Sequence, residues 1–446
     1  MHSSWKKKDM TGLNQKSNTR DFVNDTMETL TKKLDAFTER LTETKVAFPK
    51  EALEKSKAVL SSSDFPTTRD EAWKYTRVAK IAGIQGTDKK YSFSEDQLKQ
   101  FIINEKHFNV ILVNGLPQGF FNSELPMDGI SIHPLSACAE EELTSSLTEF
   151  NLNTIFDHLN TLFCTDGIRI KAEKNACAPP IALIHVCTGD QTIHHSRIII
   201  EQEQNSKLEV LQYFTSFNAS GSYLNNVTSI SLGRDAQLEL YKIEHSLGSN
   251  MLISNEVSSQ ATNSSLTIHT HTLDCGFVRN SCELQVNGEH AETNIFGTYL
   301  LKEQEHVDNH TCIDHRVAHC LSNETYKGVI GDKATAVFNG KVFVRENAQK
   351  INAFQSNANI LTSPDATVNS KPELEIYADD VKCSHGSTTG QLDDEALFYL
   401  RARGLSEKSA KNLLIEAFLG DVVNEVKNDS VRSLIEEKIQ AFFTKG

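Results

Sequence analysis

Two short runs hold the residue types from which a metal or cluster site could be built. In Cys383-Ser384-His385 a thiol and an imidazole stand two residues apart, and on a β-strand residues i and i+2 share a face. Soft sulfur beside borderline nitrogen suits iron, zinc or an iron–sulfur cluster better than calcium or magnesium. Two ligands make an incomplete site, so a partner chain would have to supply the rest; the plainer alternative is a part-buried cysteine next to a surface histidine. In His310-Thr311-Cys312-Ile313-Asp314, the side chains of His310, Cys312 and Asp314 would share one strand face, with His306, His315, His319 and Cys320 nearby. These are weaker metal candidates, because an outward polar ladder of the same composition is commonplace on a β-solenoid. His269-Thr270-His271 and His194-His195 carry the same ambiguity.

Other chemistries lack their signatures. There is no G-x-x-x-x-G-K-[ST] phosphate loop, no G-x-G-x-x-G, no H-E-x-x-H and no G-x-S-x-G elbow; Gly386-Ser387-Thr388-Thr389-Gly390 only faintly imitates the last. This disfavours a self-sufficient ATPase, dehydrogenase, zinc protease or α/β-hydrolase, and no nucleotide site is expected on the chain.

The elements that must position these residues change character along the sequence. Residues 1–19 are polar and aperiodic and read as a flexible arm. Residues 20–165 read as a mostly helical region with short strands. Phe22, Leu30, Leu34, Phe37 and Leu41 recur at helical spacing within 21–60. Pro66 to Thr76 offers a Thr N-cap with acids in the first turn of a short helix. Phe108–Asn114 and Gly129–Ile132 read as strands, and Leu152–Phe163 as a helix. Over 166–390 about fifteen short β-prone runs follow one another with almost no helix between them, which excludes βαβ units and leaves a sandwich, a barrel or a β-solenoid. Inward Val, Ile and Phe alternate with outward Ser, Thr, Asn and His without recurrent hairpin turns, which favours the solenoid, although no clean sequence repeat can be counted. The fold class expected is mainly β.

Residues 391–446 return to helical spacing. Ala410, Leu413, Leu414, Ala417 and Phe418 form a stripe after a Ser406 N-cap, with Gly420 as the expected stop, and Val431, Leu434, Ile435, Ile439 and Phe442 form a second stripe. These stripes pack either on the chain's own body or on a partner.

Composition sets outer limits. The 446 residues carry 45 Lys and Arg against 59 Asp and Glu, a net charge of −14, which argues against a nucleic-acid or anionic-membrane surface. No apolar run approaches the ~18 residues of a membrane span. The nine cysteines contain no C-x-x-C pair and read as reduced thiols. Lys6-Lys7-Lys8 is followed by a polar run where a secretory signal needs apolar residues, so the cytoplasm is the expected compartment.

Five stretches, Tyr326 to Val329, Ala336 to Lys341, Gln349 to Asn357, Lys371 to Gly386 and Ala396 to Gly404, closely resemble the SufB/SufD family of the SUF iron–sulfur cluster assembly system, on its SufD side. Pro66 to Thr76 resembles the family's N-terminal segment. The resemblance implies a right-handed parallel β-helix between an N-terminal mixed helical region and a C-terminal helical domain that docks the ATPase subunit SufC. It implies pairing with the paralogue SufB, with a transient iron–sulfur cluster forming at the SufB–SufD interface. The family's cluster-site histidine falls on His385, with Cys383 as the accompanying thiol; Leu397, Leu400, Leu413, Leu414 and Phe418 fall on the SufC-docking helices. SufB-like chains carry an essential cysteine after a Gln on the preceding rung, whereas Gln355 here is followed by Ser356. A SufD homodimer and a bound flavin stay open. The other reading is a stand-alone β-helix enzyme acting on a polyanion or carbohydrate, which a basic groove would favour.

Overall fold

The computed structural model describes residues 34–86, 91–148 and 153–444; the arm at 1–19, Phe22, Leu30 and Leu152 lie outside them. From residue 166 the chain winds as a parallel β-solenoid of about eight turns. Successive strands alternate between a ten-stranded and a nine-stranded sheet, so that Asp166–Ala172, Ile193–Gln202 and Tyr223–Leu232 lie in one sheet while Ile181–Asp190, Lys207–Ser220 and Gln237–Glu244 lie in the other. Inward side chains such as Ile168, Ile198, Ile230, Leu240, Ile268 and Ile295 make one continuous buried core, each worth about 1.5–3 kcal/mol when fully buried.

One turn advances the chain by 26 residues where Met251 pairs with Phe277, and by 32 where Thr335 pairs with Thr367. The period drifts because the corners absorb different numbers of residues. One corner is nonetheless regular: Asn175, Asn205, Asp235, Asn263, His290, His319 and Lys350 each take a left-handed conformation, φ between 59° and 64°. Asn and Asp tolerate this region best, and they stack from turn to turn. Asn205 Nδ2 donates to Asn175 Oδ1 at 2.8 Å, Asn263 Nδ2 to Asp235 Oδ1 at 3.0 Å, and the His290 and His319 rings lie 5.3 Å apart.

The two ends of the stack differ. At the first, Phe108–Val113 extends one sheet and is followed by the antiparallel strand Leu116–Phe121, while Ile130–Pro134 runs antiparallel to Asp166–Ala172 in the other. At the second, Thr367–Ile376 and Lys382–Gly390 are the terminal strands of their sheets, each with one edge unpaired.

The N-terminal region departs from the helix expected over 21–60. Within the described residues, 34–38 are helical and carry Leu34 and Phe37, residues 39–49 are irregular, so that the expected helix is interrupted, and a second helix runs over Lys50–Ser61. Pro49 stands at its N-cap with extended ψ of 134° and has no N–H to continue a helix from upstream. Pro66 to Thr76 holds only a 3-10 turn, Glu71–Trp73, in place of the Thr-capped helix. There Asp70 accepts from the Thr67 N–H at 2.7 Å and its hydroxyl at 3.1 Å, while Trp73 is buried under the Arg279 guanidinium, 3.8 Å from its ring. Tertiary contacts with the nine-stranded sheet override the local helical signal. The helix Ile155–Phe163 opens on a Thr154–Asp157 capping box.

Three helices end the chain: Asp394–Ala402, Glu407–Val423 and Asp429–Thr444. Gly420 does not stop the second, which runs on to Val423. Interior glycine costs about 1 kcal/mol, less than is gained by burying Leu419, Val422 and Val423 around it. The buried face is also rotated from the expected stripe. Ala410, Ile415, Leu419 and Val423 face inward, and Leu413 and Ala417 are exposed. With Val431, Ile435 and Ile439, the side chains of Ile415, Leu419 and Val423 cover Ile184, Val186, Ile243, Leu300 and Val329 on the outer face of the ten-stranded sheet.

Candidate functional site

Cys383 and His385 sit on the terminal strand Lys382–Gly390, one rung above Ala353 and Gln355. Cys383 packs half-buried against the solenoid core, so alternation sends His385 toward the same interior side. With no rung above it, His385 is exposed at the open end.

The column below it changes chemistry. Following the register downward from His385, the inward residues are Gln355, Glu324, Ile295 and Ile268. An apolar stack thus becomes polar over its last three rungs. Gln355 is 4% exposed and Glu324 1%. Gln355 Nε2 donates to Glu324 Oε2 at 2.6 Å, and Thr311 Oγ1, reaching from the opposite sheet, donates to Glu324 Oε1 at 2.6 Å. Burial pushes the Glu324 carboxyl up to about 7, with the bonds from Gln355 and Thr311 opposing it. Burial likewise raises the Cys383 thiol, against a hydrogen bond from the Ala353 backbone, which favours the protonated thiol unless a cation draws the proton off. Deeper inside, Lys242 Nζ reaches Glu256 at 2.8 Å and Asn280 at 3.0 Å. This buried polar core extends toward the open end through Tyr299, Asn359, Asn357 and Ser370.

Glu324 and Thr311 were not singled out in the sequence, and Gln355 was named only as the residue preceding Ser356, with no role of its own. Their signal is only the spacing of about one turn that separates 324, 355 and 385, and a drifting period hides it.

The second constellation is engaged otherwise. His310 Nε2 lies 2.9 Å from Asp308 Oδ1, and Asp308 also accepts from Arg279 and Thr76. Burial pushes the Cys312 thiol up to about 12, with the nearby Glu283 carboxylate adding to it. Asp314 is clasped by Arg345 Nε at 2.9 Å and Arg316 Nε at 2.8 Å. Cys320 is buried, its Sγ directed at the Ala318 and Gly288 carbonyls at 3.2 and 3.4 Å, and His315 Nε2 is 2.9 Å from the Ser322 hydroxyl. His194 and His195 are held neutral by burial, which pushes both down to about 3. Among the described residues no three His, Cys, Asp or Glu side chains are grouped to hold a metal ion.

On the C-terminal helices, Leu397, Leu400, Leu414 and Phe418 are half-buried and Leu413 is 45% exposed. The Phe418 ring lies 4.7 Å from Lys327 Nζ. The helix Asp394–Ala402 buries none of its residues. It presents Phe398 and Tyr399, which are 75% and 57% exposed; they lie within the Ala396 to Gly404 stretch, where only Leu397 and Leu400 were named for docking.

A cavity of about 850 Å3 lies between the Ser63–Trp73 segment and the nine-stranded sheet, lined in part by Arg279, His310, Lys341 and Lys371. Its cations are paired: Lys341 with Glu375 at 2.5 Å, Lys371 with Glu71 at 3.1 Å and Glu373 at 2.9 Å, Arg279 with Asp308. It is therefore not the basic groove that a polyanion would need. No helix among the described residues is long and apolar enough to cross a membrane.

Residues 185–418 match the family model described as SUF system FeS cluster assembly, SufBD core domain. An iron-sulfur cluster assembly SufBD family protein of Synechocystis sp. is 29% identical over 85% of this chain and 88% of its own length. The iron-sulfur cluster assembly protein SufD of Escherichia coli is 26% identical over 85% and 90%. The chloroplastic protein ABCI7 of Arabidopsis thaliana is 26% identical over 84% and 82%. The matched region takes in most of the solenoid, the strand that carries Cys383 and His385, the first C-terminal helix, and the second as far as Phe418. This chain belongs to the SufB/SufD family of SUF-system iron–sulfur cluster assembly proteins and is SufD-like within it.

Proposed function

We propose that the chain is a scaffold subunit that contributes half of a cluster-assembly site and catalyses no step of its own. His385 and Cys383 serve as its ligands to a nascent iron–sulfur cluster, whose remaining ligands come from a SufB-type paralogue seated on the open end of the solenoid. A SufC-type ATPase docks on the C-terminal helices through Leu397, Leu400, Leu413, Leu414 and Phe418, joined by Phe398 and Tyr399, and ATP hydrolysis takes place on that partner. A second copy of this chain is the other occupant of the same open end.

The observation that carries the reading is the juxtaposition at the open end: a thiol and an imidazole on the terminal strand of a sheet whose edge is unpaired. Such an edge is a ready surface for another strand, and a cluster that normally takes four protein ligands needs others besides the two this chain offers. The exposed apolar side chains of Asp394–Ala402 give a second, separate surface for a partner. All nine cysteines are free, in keeping with a reducing compartment; the cytoplasm is our assignment, and the chloroplastic relative makes an organelle the alternative.

Co-expression with a SufB-type and a SufC-type chain tests this. The three should co-purify as one complex, and anaerobic titration with iron and sulfide should load the complex and leave the isolated chain empty. A stoichiometric cluster on the isolated chain, or failure to co-purify, would overturn the proposal.

A further inference from the structure

Gln355 carries an anomaly. Its Nε2 is committed to Glu324, yet its Oε1 is buried and has no hydrogen-bond partner. A buried orphan acceptor is destabilising unless something comes to satisfy it. The residue directly above it in register is His385, about 4.8 Å away across the ladder.

In-register side chains on neighbouring rungs of this solenoid repeatedly hydrogen-bond. Glu324 and Gln355 do so at 2.6 Å, Asn280 and Asn309 at 3.0 Å, and Ser196 and Asn226 at 2.9 Å. A second feature fixes the amide in place. Gly340, on the facing sheet, leaves room where a Cβ would come within 2.1 Å of Gln355 Nε2. The Glu324 carboxylate demands the donor end of the amide, so the acceptor end is left for the rung above.

We infer that Gln355 is a positioning residue for His385: its Oε1 accepts one imidazole N–H and thereby leaves the other ring nitrogen, unprotonated, directed at the cluster. In the resulting line the imidazole N–H donates to the Gln355 amide oxygen, the amide N–H donates to Glu324, and Glu324 also accepts from the Thr311 hydroxyl. Histidines that bind metals commonly donate their second N–H in this way, which fixes the tautomer and ring orientation. The inference rests on the reading of His385 as a ligand for its purpose, but the hydrogen bond can be observed without any cluster.

The test is long-range proton–nitrogen NMR on the full chain with labelled histidine at pH 8, which reads the tautomer of each imidazole; H385Q identifies the signal. Wild type should show His385 as a single dominant tautomer. Q355L, which removes the acceptor, and G340A, which displaces the amide while keeping it, should both return His385 to the mixture of a free imidazole. A mixed tautomer in wild type, or an unchanged one in a folded Q355L or G340A, overturns the inference. Normal cluster loading by H385A would instead sink the ligand reading and leave the tautomer result standing, so the two failures are distinguishable.

Discussion

Replacing Glu324 by Gln probes the polar column where its energy is largest. The carboxyl ionises near 4.5 in an open chain and at about 7 in the fold, because it is buried. At about 1.4 kcal/mol per pH decade that gap is roughly 3 kcal/mol. The sign follows from proton counts. Below pH 4.5 both states are protonated and the group contributes no penalty. Between 4.5 and 7 the unfolded chain is ionised while the fold keeps its proton, so stability falls as pH rises, and above 7 the full penalty is present. A Gln side chain can still accept from Gln355 Nε2 and donate to the Thr311 hydroxyl, which reverses its role. E324Q should therefore match wild type near pH 4.5 and exceed it by up to roughly 3 kcal/mol at pH 8.5. Urea unfolding of both proteins at matched pH measures the difference, in which the carboxyls of Glu283 and Glu305, which burial also raises to about 7, cancel. Parallel stability profiles from pH 4.5 to 8.5 would refute the buried ionisation.

Other consequences are open to simpler measurements. F398D combined with L413D should weaken capture of the SufC-type ATPase at least about tenfold, as loss of an apolar anchor does, with an unchanged circular dichroism spectrum; point changes are the proper test, because removing 393–446 would strip the helices that cover Ile184, Ile243 and Val329. C312S should leave iron per complex unchanged, since the neighbouring carboxylates Asp308 and Asp314 are held by arginines; loss of iron would reinstate the His310, Cys312, Asp314 group as a metal site. In the isolated chain at pH 7.5 Cys383, raised by burial, should be alkylated more slowly than the exposed Cys177, as peptide mass spectrometry reads directly. G420A should stabilise the second C-terminal helix by about 0.5–1 kcal/mol, because the nearest heavy atom to a new Cβ is Asn424 Nδ2 at 3.8 Å.

What could be read from the sequence alone was what depends on short range. Alternation over 166–390 and the absence of intervening helices pointed to the solenoid, and the i, i+2 spacing of Cys383 and His385 placed them on one face of a strand. The misreadings arose where distant contacts override local signals. Gly420 resembles a helix stop until the sheet beneath Leu419 and Val423 is known. The stripe Ala410, Leu413, Leu414, Ala417, Phe418 fits helical spacing as well as the face that is buried, since Ile415 and Leu419 lie beside it on a helix rich in apolar residues. The Glu324–Gln355 pair became visible only through register, because a turn that varies from 26 to 32 residues leaves no fixed offset at which to look.

The central claim is that His385 is this chain's ligand to a cluster completed by a partner. Anaerobic iron and sulfide analysis of the purified three-component complex, wild type against H385A, tests it most directly, with native mass spectrometry reporting assembly in the same samples. The account predicts an intact H385A complex that holds no stable cluster; an H385A complex carrying wild-type iron and sulfide would contradict it.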